Sequence, residues 1–210
     1  MDRLAIRRLS ASVLNLFFPP HCVGCQTLGA WFCERCQDRV RPVEPPFCWR
    51  CGKGIGETGS RLCAACRSGG YAVEQIRSVG YSEGVLREAI HALKYDGITA
   101  LAAPLADLMA ETWFRLPMAV DVIVPVPLHR SRERRRGFNQ AALLARALSD
   151  RIDIPVDEAI LVRHRRTAAQ VGLGADERSR NVEDAFRCVS GRAAGKDVLV
   201  IDDVCTTGST

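Results

Sequence analysis

At 210 residues the chain has room for one sizeable hydrophobic core and one small additional module, which excludes an assembly of many domains. An apolar content of 47% beside 25% charged residues belongs to a folded globular protein, and a net charge of +5 is too mild to demand a nucleic-acid partner by itself. No run of apolar residues approaches the ~20 needed to span a bilayer.

Residues 1–20, MDRLAIRRLSASVLNLFFPP, combine basic residues with a short apolar run but lack a small-residue cleavage site. They read as a short amphipathic helix rather than a signal peptide, and a cytoplasmic location follows as the expectation. Residues 21–68 then hold eight of the ten cysteines, all in CxxC pairs: Cys22 and Cys25, Cys33 and Cys36, Cys48 and Cys51, Cys63 and Cys66. A CxxC turn sets two thiolates on one side of a tight loop, suited to two corners of a tetrahedron with Zn–S of about 2.3 Å. Four such turns make two sites. The simplest pairing is sequential, the first four cysteines on one zinc and the last four on another. An interleaved cross-brace is the alternative, and the short spacing of the first half argues against it.

Redox CxxC motifs come singly, and a disulfide framework needs a secreted chain; reduced cytoplasmic thiols favour metal. Four thiolates leave no open coordination position, so both zincs are expected to be structural and to supply folding energy to a ribbon poor in apolar side chains. Arg35, Arg50, Lys53, Arg61 and Arg67 lie close in sequence to offset the negative charge of the sites. Cys188 and Cys205 read as small apolar packers.

Gly69-Gly70 marks a change of composition, and residues 72–210 alternate strand and helix signals. Ile76 to Tyr81 reads as a strand. Val85 to Lys94 is helical, with Val85, Leu86, Ala89, Ile90 and Leu93 on one face and Asp96-Gly97 as its stop. Leu101 to Trp113 reads as a second helix, interrupted early by Pro104. Val120 to Leu128 is a buried strand followed by a long basic loop; Asn139 caps the helix AALLARAL, and KDVLVIDD is another buried strand. The pattern predicts an α/β domain with a mainly parallel sheet, whose ligands bind outside the carboxyl ends of the strands.

Two segments lie at such ends. One carries Arg130, Arg132, Arg134, Arg135, Arg136 and Gly137, a guanidinium cluster leading into a helix N-terminus and suited to phosphates, of a small molecule or of nucleic acid. The other is VLVIDDVCTTGST. Asp202 and Asp203 can accept hydrogen bonds from a vicinal diol or help hold a divalent cation, and Thr206, Thr207, Gly208, Ser209 and Thr210 form an anion nest. A diol acceptor beside a phosphate cradle describes a site for ribose 5-phosphate. GRAAGKD, Gly191 to Asp197, imitates a P-loop but has the wrong spacing and an Asp where Ser or Thr is required.

These motifs resemble the phosphoribosyltransferase signature, and the wider pattern resembles the ComF family, a double zinc ribbon ahead of a type I phosphoribosyltransferase domain. The resemblance is carried by ALKYDG (Ala92 to Gly97), VPVPLHRSRERRRGFNQ (Val124 to Gln140), RTAAQ (Arg166 to Gln170), ERSRNVEDAF (Glu177 to Phe186) and VLVIDDVCTTGST. It implies that Asp202 and Asp203 bind the ribose of phosphoribosyl pyrophosphate (PRPP), with Mg2+, and that Thr206 to Thr210 bind its 5-phosphate. It implies further that the arginine loop serves the pyrophosphate, and that Arg166, Thr167 and Gln170 belong to a mobile loop over the site. Transfer of phosphoribosyl to an unknown acceptor, in the service of DNA uptake, is the activity it suggests. The alternative is a non-catalytic competence protein that binds single-stranded DNA or a motor-protein partner. Lys94 and Tyr95 read as an exposed helix end, and His129 and His164 as surface histidines. Family members continue past Thr210, so the resemblance also implies missing C-terminal elements and weak PRPP binding without them.

Overall fold

A computed structural model of the chain describes residues 19–56, 59–69, 73–167 and 180–205. The helix expected over residues 1–20 falls almost wholly outside them. The ribbon is one small unit used twice. In the first copy Cys22 N–H donates to Thr27 O, Val23 N–H to Trp31 O, Gln26 N–H to Cys22 O and Gly29 N–H to Pro20 O. In the second, Cys48 N–H donates to Lys53 O, Trp49 N–H to Arg61 O, Gly52 N–H to Cys48 O and Ile55 N–H to Pro46 O. A one-turn helix follows each, α1 (Glu34–Gln37) behind Cys33 and α2 (Ala64–Arg67) behind Cys63. The matching sequence trace is PPHCVGC against PPFCWRC, Pro19 to Cys25 and Pro45 to Cys51.

The two copies have different surroundings. Cys22, Phe32 and Cys36 of the first are buried in the main core with Val85, Leu86, Ala89 and Ile90. These four make the inner face of α3 (Gly84–His91), at the spacing read from sequence. The second copy is instead crossed by an extended segment. Ile76 N–H donates to Arg50 O (2.6 Å), and the Arg77 guanidinium lies over Phe47 and Trp49, 5.5 and 5.2 Å from the ring centroids. The strand expected over Ile76 to Tyr81 is therefore not formed. Its partners are irregular ribbon loops, and only Gly80 makes a ladder bridge, to Pro42.

After α3 the chain widens into one π-helical turn, Ala92–Asp96, and stops at Gly97, whose φ of +70° suits glycine. A 3-10 turn, Thr99–Leu101, leads into α4 (Ala102–Arg115). Pro104 does not interrupt this helix, because it occupies the first turn, where its missing N–H would have had no partner. Strand β1 (Val122–Pro125) is buried throughout, which explains its unbroken apolar run. Ile123 faces the main core with Leu144, Ala145 and Leu148, while Val122 and Val124 face a second cluster with Ile160.

The stretch expected as a basic loop is helix α5 (Arg130–Arg136). Arginine is a strong helix former, His129 Nδ1 accepts from Ser131 N–H at the start, and Gly137 at φ +88° ends it. Helix α6 (Gln140–Ile152) begins at Asn139, which caps it as expected: Asn139 Oδ1 accepts from Ala141 N–H (3.1 Å). It packs on α4 and on β1. β2 (Leu161–Arg163) and β3 (Phe186–Cys188) form an antiparallel pair. β4 (Val198–Ile201) runs parallel to β1, Val122 opposite Val198 through Pro125 opposite Ile201. On the other edge of β1, Ile123 bridges Val156, also in parallel. The fold is thus α/β with a parallel sheet behind a zinc ribbon. β4 is less buried than its sequence suggests, Val200 being 48% exposed. Cys188 and Cys205, expected to pack inside, are exposed. No described helix is long and apolar enough to cross a membrane.

Candidate functional site

The ribbon contains two metal centres. The sulfurs of Cys22, Cys25, Cys33 and Cys36 all lie within 4.8 Å of one another, and so do those of Cys48, Cys51, Cys63 and Cys66. The sequential pairing is the correct one. A zinc tetrahedron with Zn–S of about 2.3 Å has edges of about 3.8 Å. The Cys25–Cys33 and Cys51–Cys63 sulfur distances are 3.6 and 3.7 Å, so the residues fit zinc. Backbone N–H groups support corresponding thiolates in the two sites, Cys33 N–H to Cys22 Sγ (3.4 Å) and Cys63 N–H to Cys48 Sγ (3.3 Å). Of the cations expected nearby, Arg35 is held in its charged form by Cys25, which raises its pKa. Arg77, missed in the sequence, serves the second site, where the Cys48 charge partly offsets the lowering of its pKa by burial. With four thiolates and no open position, both centres are structural.

The second site lies where β1 and β4 end side by side; Val126 N–H still donates to Ile201 O (2.9 Å) beyond their last paired residues. Two acids follow at once on β4. Asp202 Oδ1 accepts from Asp203 N–H (2.9 Å). The Asp203 side chain turns inward, only 5% exposed, with Oδ1 2.7 Å from Lys94 Nζ. Its Oδ2 is buried without a hydrogen-bond partner among the described residues. Desolvation and then the neighbouring Asp203 charge push the Asp202 carboxyl up to about 7. Asp202 as a residue still meets solvent.

From the end of β1 the chain reaches His129 and α5. A cleft of about 510 Å³ opens here, lined by His129, Ser131, Arg132, Arg135, Arg163, Arg166 and Thr167. Among the described residues, four guanidinium groups and no carboxylate line it, a composition that calls for an anion. Arg163 is braced on the Phe186 ring (5.0 Å to the centroid) and donates to Thr167 Oγ1. Arg132 donates to Thr167 O (3.4 Å). Burial lowers the pKa of Arg163, the nearby Arg132 lowers it further, and Asp202 opposes both, so the acid pair and the arginine cleft feel one another. Arg136 joins them from the other side, over the Tyr95 ring at 5.6 Å and within range of the Asp203 charge.

Of the expected site residues, Asp202, Asp203, Arg132, Arg135, Arg136, Arg166 and Thr167 are gathered at these strand ends. Arg130 and Arg134 point to solvent outside the cleft, and Gly137 serves as the stop of α5. Thr206, Thr207, Gly208, Ser209, Thr210 and Gln170 lie outside the described residues. His164 is exposed and does not line the cleft. Sequence reasoning missed Arg163 and Lys94. Arg163 could have been found as a charge on the same strand face as Leu161; Lys94 had only its place in ALKYDG.

Residues 13–68 match the model of the double zinc ribbon domain family. The chain is 34% identical over 208 residues to the DNA utilization protein YhgH of Escherichia coli, covering 93% of this chain and 88% of that one. It is 30% identical over 206 residues to competence protein F of Haemophilus influenzae, covering 92% and 88%. It is 26% identical over 185 residues to competence protein ComFC of Bacillus subtilis, covering 85% and 73%. No solved structure matches.

Proposed function

The chain belongs to the ComF family, and from that premise we propose that it binds PRPP through a phosphoribosyltransferase-type site and serves DNA uptake or utilization in the cytoplasm. The observation that carries the reading is the acid pair ending β4, set beside a cleft at the end of β1 that four arginines line among the described residues. In this reading Asp202 and Asp203 receive the ribose hydroxyls, and Arg132, Arg135 and Arg163 receive the pyrophosphate. Asp202 and Asp203 would also help hold Mg2+, which would supply charge neutralisation to the ligand, and Thr206 to Thr210 take the 5-phosphate. If the protein turns over, an acceptor nucleophile attacks the anomeric carbon, the bond to pyrophosphate breaks, and pyrophosphate leaves with that bonding pair. Positioning and charge neutralisation by the arginines supply the catalysis.

Calorimetric titration with PRPP, with and without Mg2+, tests the reading. Wild type binds, and the double change Asp202→Asn with Asp203→Asn weakens binding by about 100-fold or more, since hydrogen bonds to charged groups are lost. A wild type that does not bind PRPP overturns it.

A second reading is favoured by the exposed guanidinium groups of Arg130, Arg134 and Arg135 on α5. In it a non-catalytic protein contacts single-stranded DNA through α5 and docks a motor-protein partner through the ribbon. Each phosphate contact adds about 0.7 to the slope of log affinity against log salt for single strands. Replacing Arg132, Arg134 and Arg135 should flatten that slope, and an unchanged slope removes α5 as the contact.

A further inference from the structure

We infer that Lys94 is a positioning residue for the site: its ammonium grips one oxygen of Asp203 so that the other oxygen of that carboxylate faces the ligand. The inference rests on the PRPP reading and extends it to a residue carried by a different part of the fold.

Three observations meet here. The ion pair is short and enclosed, 2.7 Å between Nζ and Oδ1, with the side chains 19% and 5% exposed. The sister oxygen Oδ2 is buried and has no partner among the described residues. A buried carboxylate oxygen left unpaired is costly, so a half-satisfied acid at a strand end points to a donor arriving from outside, and a ribose hydroxyl is such a donor. The third observation is how Lys94 gets there. Lys94 follows the fully buried Leu93 on the inner side of the helix, as Ile90 follows Ala89 one turn earlier. The π turn Ala92–Asp96 widens the helix at this point. Leu93 stays in the core and Lys94 reaches β4. The same turn lays Tyr95 beneath Arg136, so one irregular turn braces both the acid limb and the arginine limb of the site.

Among the described residues Arg136 is the other cation within range of Asp203, but it is engaged with Gln140 and Tyr95 and forms no ion pair with the acid. Among those residues Lys94 therefore has no substitute in orienting Asp203. It acts on the ligand through the acid and not by its own contact.

The test is a mutant cycle on the full chain, read by calorimetric titration with PRPP and Mg2+. Lys94→Met should weaken binding about 10- to 100-fold, the worth of a misdirected hydrogen bond to a charged group. Lys94→Arg, which keeps a cation within reach of Asp203, should recover most of that loss, as a residue needed only for packing would not. In an Asp203→Asn background, Lys94→Met should cost nothing more. Losses that add would mean that Lys94 acts independently and would overturn the inference, as would a Lys94→Met protein that binds like wild type. Should Lys94→Met alone fail to fold, the double variant, which leaves no lone buried charge, decides; binding weaker than Asp203→Asn alone overturns the inference. A wild type that binds no PRPP removes the proposed function and this inference together, an outcome distinct from those in which wild type binds.

Discussion

Gly24, inside the first CxxC turn, offers a measurable handle on how the ribbon is joined to the α/β domain. A Cβ added there would lie 2.9 Å from Val85 Cγ1 and 3.0 Å from Cys36 Sγ, where ordinary contacts begin at about 3.4 Å. Neither neighbour yields easily. Val85 is a β-branched residue on a helix, with one strongly preferred rotamer, and Cys36 is a buried zinc ligand. The equivalent place in the second copy is Arg50, so the CxxC turn itself does not require glycine; the approach of α3 does. Overpacking of this kind costs about 1–3 kcal/mol. If the strain is relieved by releasing metal, zinc affinity at the first site falls by about 5- to 150-fold. Competition with a chromogenic chelator should show one of two zincs per chain leaving earlier in Gly24→Ala. Gly56→Ala is the control, because among the described residues beyond its chain neighbours no atom lies within 4 Å of the added Cβ. A Gly24→Ala release curve that superimposes on wild type, or one in which both zincs weaken equally, would refute the reasoning.

Three further outcomes are expected. Cys36→Ser and Cys66→Ser should each leave one tightly bound zinc by metal analysis, but only Cys36→Ser should disturb the fold of the α/β domain, seen as loss of amide-exchange protection in α3 and α4, since only the first centre shares their core. The raised pKa of Asp202 makes the folded state the tighter proton binder, so this contribution to stability is full below about pH 4 and is lost as pH rises through about 7; Asp202→Asn should flatten the urea midpoint against pH over that window, and parallel profiles would contradict the shift. Arg151 ties α6 to α4 through Asp107 Oδ1 (2.6 Å) and Ala103 O (2.9 Å), and Arg151→Ala should cost about 1–2 kcal/mol in denaturant unfolding, the worth of a partly buried charged hydrogen-bond pair.

What was legible in the sequence depended on how local the deciding physics is. A CxxC pair sets its own geometry within four residues, so the eight ligands and their sequential pairing could be read directly. β1 was legible because both of its faces are buried, and the Asn139 cap and the Gly97 stop because each depends on its own neighbourhood. α5 was misread as a loop, since a run of arginines suggests charge repulsion and conceals their helix propensity. The strand over Ile76 to Tyr81 failed for the opposite reason: its composition is right, but what it lies against is not a strand. The ribbon repeat was hidden because little beyond PPxCxxC is shared between the copies. The partnership of Lys94 with Asp203 joins residues far apart in the chain, and no local pattern announces it. The PRPP loop motif was recognisable as a motif, while Thr206 to Thr210 lie outside the described residues.

One side chain has an effect out of proportion to its size. Besides capping α6, Asn139 donates through Nδ2 to Val126 O (3.0 Å), clamping the start of that helix to the end of β1. The excursion between them, which carries the arginine helix, is thereby closed at its base and stiffened along its length. An anion entering the cleft meets guanidinium groups whose backbone is already ordered, and little conformational freedom remains to be lost on arrival. A flexible arginine loop would have had to surrender that freedom each time it bound. Here folding has met that cost in advance, so this wall of the cleft should change little in shape between its empty and filled states.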